Sequence, residues 1–174
     1  MQKFFVISFA AFLSLSFTSN ATPVFDNPVE EVIKDPYVHL VQQLTKYAKK
    51  FMGVPYVWGG TQPNGFDCSG FVRYVFARFD MPLSHNSRQL SEIGYDVDIQ
   101  QAYVGDLIFF STSRRDNAPV GHVGIIVSND EDGIRFIHAS TSRGVTYDYL
   151  SESYFTDRFV GVKRVIDALK DFGY

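Results

Sequence analysis

The apolar periodicity of this chain changes character once along its length, and that change restricts the fold more than any other feature. Across residues 37–52, Leu40, Val41, Leu44, Tyr47, Ala48 and Phe51 recur at helical spacing until Gly53 and Pro55 end the pattern. A glycine-rich stretch, residues 53–65, leads to a second helical run carried by Phe71, Val72, Val75, Phe76 and Phe79. Asn86 or Ser87 is placed to cap a short third helix holding Leu90 and Ile93 and closing at Gly94. Beyond it the apolar runs are β-branched and aromatic, at residues 107–110, 123–127, 134–137, 145–149 and 159–165, with Asn129-Asp130 and Asp132-Gly133 as turn signals. Helices first and strands second predict an α+β fold with helices packed on a central antiparallel sheet, because alternating βαβ units would interleave the two. The chain shows no internal repeat.

The N-terminus has a different logic. Lys3 precedes an apolar run from Phe4 to Phe17, and Ser19-Asn20-Ala21 supplies a small-x-small cleavage pattern. The run is shorter than the roughly 20 residues a membrane span needs, and Ser8, Ser14 and Ser16 interrupt it. Residues 1–21 are therefore expected to be a cleaved signal peptide, which sends the protein to the periplasm or the medium. Residues 22–36, with Pro23, Pro28 and Pro36, are expected to form a linker or arm; residues 37–166 the catalytic domain; residues 167–174 a C-terminal tail. The only cysteine, Cys68, lies far from the cleavage point, so no lipid-attachment site and no stable membrane anchor are expected. The 174 residues suit one ordinary core, and a formal net charge of −3 argues against a nucleic-acid partner, whose phosphates call for a basic face.

One cysteine in an exported chain makes no internal disulfide, so an exposed thiol there needs a reason. It is either a buried, inert side chain or a reactive group. Cys68 falls where the glycine-rich loop turns into the second helix, in the string Gly65-Phe66-Asp67-Cys68-Ser69-Gly70. Free N–H groups and the positive end of a helix dipole are expected there to lower the thiol pKa and to serve an oxyanion. A thiol so placed needs a base. Of four histidines, His122 opens one strand run and His138 ends the next. A hairpin turning at residues 129–133 would bring both to one end of the sheet, where one can orient the other. His39 and His85 receive no role. No metal-ligand spacing is visible, and the chemistry of a thiol and a base calls for no cofactor.

Five segments, Tyr56-Val57-Trp58-Gly59-Gly60, Asp67-Cys68-Ser69-Gly70-Phe71-Val72, Gly105-Asp106-Leu107-Ile108-Phe109-Phe110, Gly121-His122-Val123-Gly124-Ile125 and Ile137-His138-Ala139, resemble the NlpC/P60 family in sequence and in order. The string His138-Ala139-Ser140-Thr141-Ser142 is similar to that of single-domain murein endopeptidases of Gram-negative envelopes. The resemblance implies a papain-like α+β fold and a cysteine endopeptidase. Its substrate would be the stem peptides of peptidoglycan, cut at D-Glu–diaminopimelate or D-Ala–diaminopimelate through a thioester. It implies Cys68 as nucleophile, His122 as general base and acid, and His138 as the third catalytic member that holds His122 in its tautomer. Tyr56, Asp67 and Ser69 match positions that line the substrate site.

Plainer explanations stand beside these. Asp67 is either a substrate ligand or an N-cap. Trp58 is either a platform at the cleft or, by preference, a core aromatic. Gly105 and Asp106 are explained by a turn before a buried strand, and the loop of residues 111–120, with Arg114 and Arg115, by a solvated turn rather than a flap. Among other functions, a papain-like amidase of the CHAP type, an acyltransferase, a binding protein that kept the fold, and a toxin against rival bacteria remain open. So do the bond cut and the oligomeric state.

Overall fold

A computed structural model describes residues 36–115 and 117–166. The signal peptide expected at residues 1–21, the tail expected at 167–174 and all but Pro36 of the expected arm lie outside the described residues.

Helix α1 (Pro36–Lys49) buries Val41, Leu44 and Ala48. It stops short of residue 52 because the next peptide groups bond back over three residues, Lys50 N–H to Tyr47 O at 3.0 Å and Phe51 N–H to Ala48 O at 3.1 Å. This tightens the last turn before Gly53 adopts φ +81°. A two-stranded ribbon, β1 (Thr61–Gln62) and β2 (Gly65–Phe66), follows. Helix α2 (Cys68–Ala77) begins three residues ahead of its first large apolar side chain, because Asp67 caps it by accepting the Gly70 N–H at 2.7 Å. Asn86 rather than Ser87 caps the short helix α3 (Ser87–Leu90).

The strands are β3 (Tyr95–Val97), β4 (Leu107–Ser111), β5 (Val120–Asp130), β6 (Gly133–Ser140), β7 (Gly144–Tyr149) and β8 (Phe159–Arg164), with helix α4 (Ser153–Thr156) between the last two. They form one six-stranded sheet in the order β3-β8-β4-β5-β6-β7, each pair antiparallel. The expected α+β architecture is thus the observed one. The sheet is buried on both faces, and strand alternation decides which residue serves which. Leu107, Phe109, Val123, Ile125 and Ile137 pack against α1 and α2, whereas Ile108, Phe110, Ile126, Phe136 and Val162 pack around Phe155 of α4. Among the described residues no helix is long and apolar enough to cross a membrane.

Two contacts fix the start of α2. Phe66 is fully buried and meets Phe51 and Phe71 edge-on, with centroids 5.6 Å away in each case. Gly70, in the first turn, lies so close to the preceding loop that a Cβ there would stand 2.0 Å from the Gly60 carbonyl oxygen. Gly70→Ala must push that loop away, and overpacking of this kind costs about 1–3 kcal/mol. The expected result is a lower urea midpoint with an unchanged m-value, and an unchanged midpoint would show that the loop yields freely.

Candidate active site

The hydrogen-bonded pairing of β5 with β6 runs from Asp130–Gly133 to Ile125–Ile137 and is not continued toward Gly121. On the other side β5 stays paired with β4, through Phe110–His122. Because Ile126 N–H bonds Asp106 O and Gly105 N–H bonds Ile126 O, the even-numbered peptide groups face β4 along residues 122–126, where the two strands keep register. The Val123 peptide group, and that of Gly121 at the β-bulge that ends this register, face the opening. The N-terminus of α2 fills that opening: Cys68 Sγ lies 3.9 Å from the Gly121 carbonyl oxygen, and the Val123 N–H also reaches the sulfur. Cys68 thus abuts the two peptide units that flank His122.

His122 and His138 come together as their strands suggested. His122 Nε2 is 2.7 Å from His138 Nδ1, with the rings perpendicular at 89°. Gly124 allows this approach, since a Cβ there would stand 2.8 Å from the Phe136 ring and 3.3 Å from His138 Cβ. Two residues that sequence reasoning passed over stand behind the pair. His138 Nε2 is 2.8 Å from Asp148 Oδ2, and Arg143 Nη2 donates to the same oxygen at 2.6 Å. Asp148 pairs across the β6–β7 ladder with Phe136, two residues from His138 and on the same face of the sheet. A carboxylate inside a strand run that is otherwise β-branched and aromatic was the one available signal.

The electrostatics depart from expectation at the thiol. Instead of being lowered, the Cys68 pKa is pushed up to about 11: burial dominates, the Asp67 carboxylate adds to it, and the N–H groups of Val123, Ser69 and Cys68 oppose both without prevailing. Cys68 is only 7% exposed, so desolvation of a thiolate outweighs the helix terminus. His122 moves the other way, down to about 3, through burial and then the neighbouring His138, with Asp148 opposing. One edge of the His122 ring still opens on the cleft. At neutral pH the resting pair is therefore a thiol and a neutral imidazole. Asp148 is held below the usual carboxylate range: its burial raises the pKa, and the bonds from His138 and Arg143 outweigh that.

The positions expected to line the substrate site separate. Tyr56 borders a cleft of about 450 Å³ together with Trp58, His122, His138, Arg143 and Tyr154. Ser69 is buried and donates to Asp67 Oδ1 at 3.1 Å. Asp67 spends one oxygen on Ser69 and Gly70 and the other on Gly59 N–H at 3.0 Å and His85 Nε2 at 2.8 Å. All of its acceptor sites are filled, so its geometry is that of a cap and loop tie, and a substrate amine could reach it only by displacing His85. His85 therefore does have a structural part, which its isolated place in the sequence gave no reason to suspect. Trp58 corrects the preference for a core position, standing 88% exposed at the rim of the cleft.

The profile of the NlpC/P60 family matches residues 53–164. A probable endopeptidase of Haemophilus influenzae is 33% identical over 166 residues, 95% of this chain and 99% of the relative. The murein DD-endopeptidase MepS/murein LD-carboxypeptidase of Escherichia coli is 36% identical over 118 residues, 66% of this chain and 57% of that protein. A crystal structure of an NlpC/P60 family protein from Bacillus cereus superposes with a TM-score of 0.67 at 29% identity, covering 72% of this chain and 40% of that one. The chain thus spans nearly the whole length of the Haemophilus protein, a little over half of the Escherichia coli protein and 40% of the Bacillus cereus one.

Proposed function

The chain belongs to the NlpC/P60 family, and from that membership and the geometry around Cys68 we propose that it is a cysteine endopeptidase of the cell wall, hydrolysing amide bonds in peptidoglycan stem peptides. Family membership supports cell-wall peptidase activity. The observation that carries the finer reading is the placement of a lone thiol at a helix N-terminus against the strand bearing His122, which in turn bonds His138. His122 takes the Cys68 proton on Nδ1, the nitrogen not engaged by His138, as sulfur attacks the scissile carbonyl carbon. N–H groups at the start of α2 face the developing oxyanion. The proton then passes to the leaving amine, a thioester forms, and water deprotonated by His122 releases the acid and restores the thiol. Tyr56 and Trp58 supply the cleft wall on the loop side, and the bond cut is D-Glu–diaminopimelate or D-Ala–diaminopimelate. Export by cleavage after residue 21 would bring the enzyme to this substrate.

Residues 22–174 incubated with diaminopimelate-type peptidoglycan should release peptide fragments whose masses name the bond. Intact sacculi and uncut free stem peptides under reducing conditions would overturn the reading.

A further inference from the structure

A base must present a bare nitrogen to the thiol, and His122 has two nitrogens to choose from. Nothing in His122 itself makes the choice, and His138 is equally ambivalent, since a neutral imidazole can carry its proton on either side. The ambiguity ends at Asp148. Its Oδ2 only accepts, so the His138 nitrogen facing it at 2.8 Å, Nε2, carries the proton. With His138 neutral, its Nδ1 is then bare and accepts from His122 Nε2–H at 2.7 Å. His122 Nδ1 is left bare for Cys68. Each link depends on the one behind it, and the last, Asp148, is tied by Arg143 Nη2 at 2.6 Å.

Building on the peptidase reading, we propose that Asp148, oriented by Arg143, is a positioning residue that sets the tautomers of His138 and His122 and balances the charge on His122 when it holds the Cys68 proton. The proton stops on His122, and Asp148 stays ionised throughout. Burial makes the choice strict: His138 and Asp148 are 2% and 3% exposed, so water offers neither an alternative partner. Arg143 has a second consequence. It lines the cleft with its side chain 54% exposed, so the buried carboxylate has its counter-charge on the substrate side. The charged or titratable groups facing the pair are Cys68 and Asp67 from α2 and its cap, Tyr56 from the preceding loop, Arg143 and Asp148 from the β6–β7 side, and Glu152, Tyr154 and Arg158 around α4.

Two sets of measurements test this. In the unaltered protein at neutral pH, long-range ¹H–¹⁵N NMR of the histidines should show His138 protonated at Nε2 and bare at Nδ1. The opposite tautomer overturns the proposal, whether or not peptidoglycan proves to be the substrate. In Asp148→Asn the Arg143 guanidinium keeps the amide oxygen toward His138, so the tautomer should persist while the charge is lost, with kcat down about 10-fold and KM within about 2-fold. In the double variant Asp148→Asn/Arg143→Gln the amide is free to turn its NH2 toward His138. The tautomers should then invert and kcat should fall about 100-fold or more. Arg143→Gln alone, which removes a positive charge, should move the acid limb of kcat to higher pH. Folded variants that keep the wild-type kcat, acid limb and tautomers would reduce Asp148 and Arg143 to packing residues.

Discussion

Cys68→Ala is expected to leave a folded protein that releases no stem peptide. Removing the nucleophile of a triad-type enzyme lowers kcat by roughly 10⁴–10⁶-fold, because the histidines then have no thiol to activate and the helix terminus no tetrahedral adduct to stabilise. The fold should tolerate the change. Only the sulfur is lost from a site 7% exposed, and a cavity of that size costs about 1 kcal/mol, a few degrees in melting temperature. Fragment release by mass spectrometry, beside a thermal melt, separates the two effects. A Cys68→Ala protein that still cuts at one per cent of the wild-type rate would remove Cys68 from the chemistry. The raised thiol pKa adds a second reading: at pH 7 the free enzyme should react slowly with iodoacetamide, and faster as pH rises toward 11. A thiol that alkylates at neutral pH as rapidly as a thiolate would show that the helix terminus outweighs burial after all.

Sequence and structure agree where periodicity and local chemistry carry the information. The helical run at residues 71–79 shows its period, the five strand runs show β-branched and aromatic residues between turn signals, and the turn at Asn129 to Gly133 does join β5 to β6. β3 escaped notice because an edge strand of three residues, Tyr95 to Val97, has no period to read and little burial to demand apolar side chains. Trp58 misled because an aromatic residue in a glycine-rich loop has no periodic neighbours to say which way it faces. The direction of the Cys68 pKa could not be read from position alone. A helix N-terminus lowers a thiol only while water or cations share the thiolate, and here a carboxylate and a dry pocket take their place. The partner of His138 was equally hidden, since Asp148 acquires meaning only through the register that puts it beside His138 across β6 and β7.

His122→Ala separates the base from the nucleophile and should have the second-largest effect. With a thiol pKa near 11, only about one Cys68 in 10⁴ is a thiolate at pH 7, so losing the base should cost about 10³–10⁴-fold in kcat/KM. The residual activity should then follow hydroxide, rising about tenfold per pH unit toward pH 11, because solvent must do what the imidazole did. Wild-type enzyme should behave differently over the same range. Its base is neutral above a pKa pushed down to about 3, so activity should persist at pH 5, where a histidine at its ordinary value of 6.5 would be mostly protonated and idle. The acid end needs a folding control. A histidine whose folded pKa is depressed binds its proton more readily in the unfolded chain, so stability falls as pH drops below 6.5 toward the folded value. Circular dichroism at each pH distinguishes that loss from protonation of a folded enzyme. A wild-type acid limb centred near 6.5 in folded protein would mean that His122 is solvated in solution, and a flat pH profile in His122→Ala would assign the base to another group.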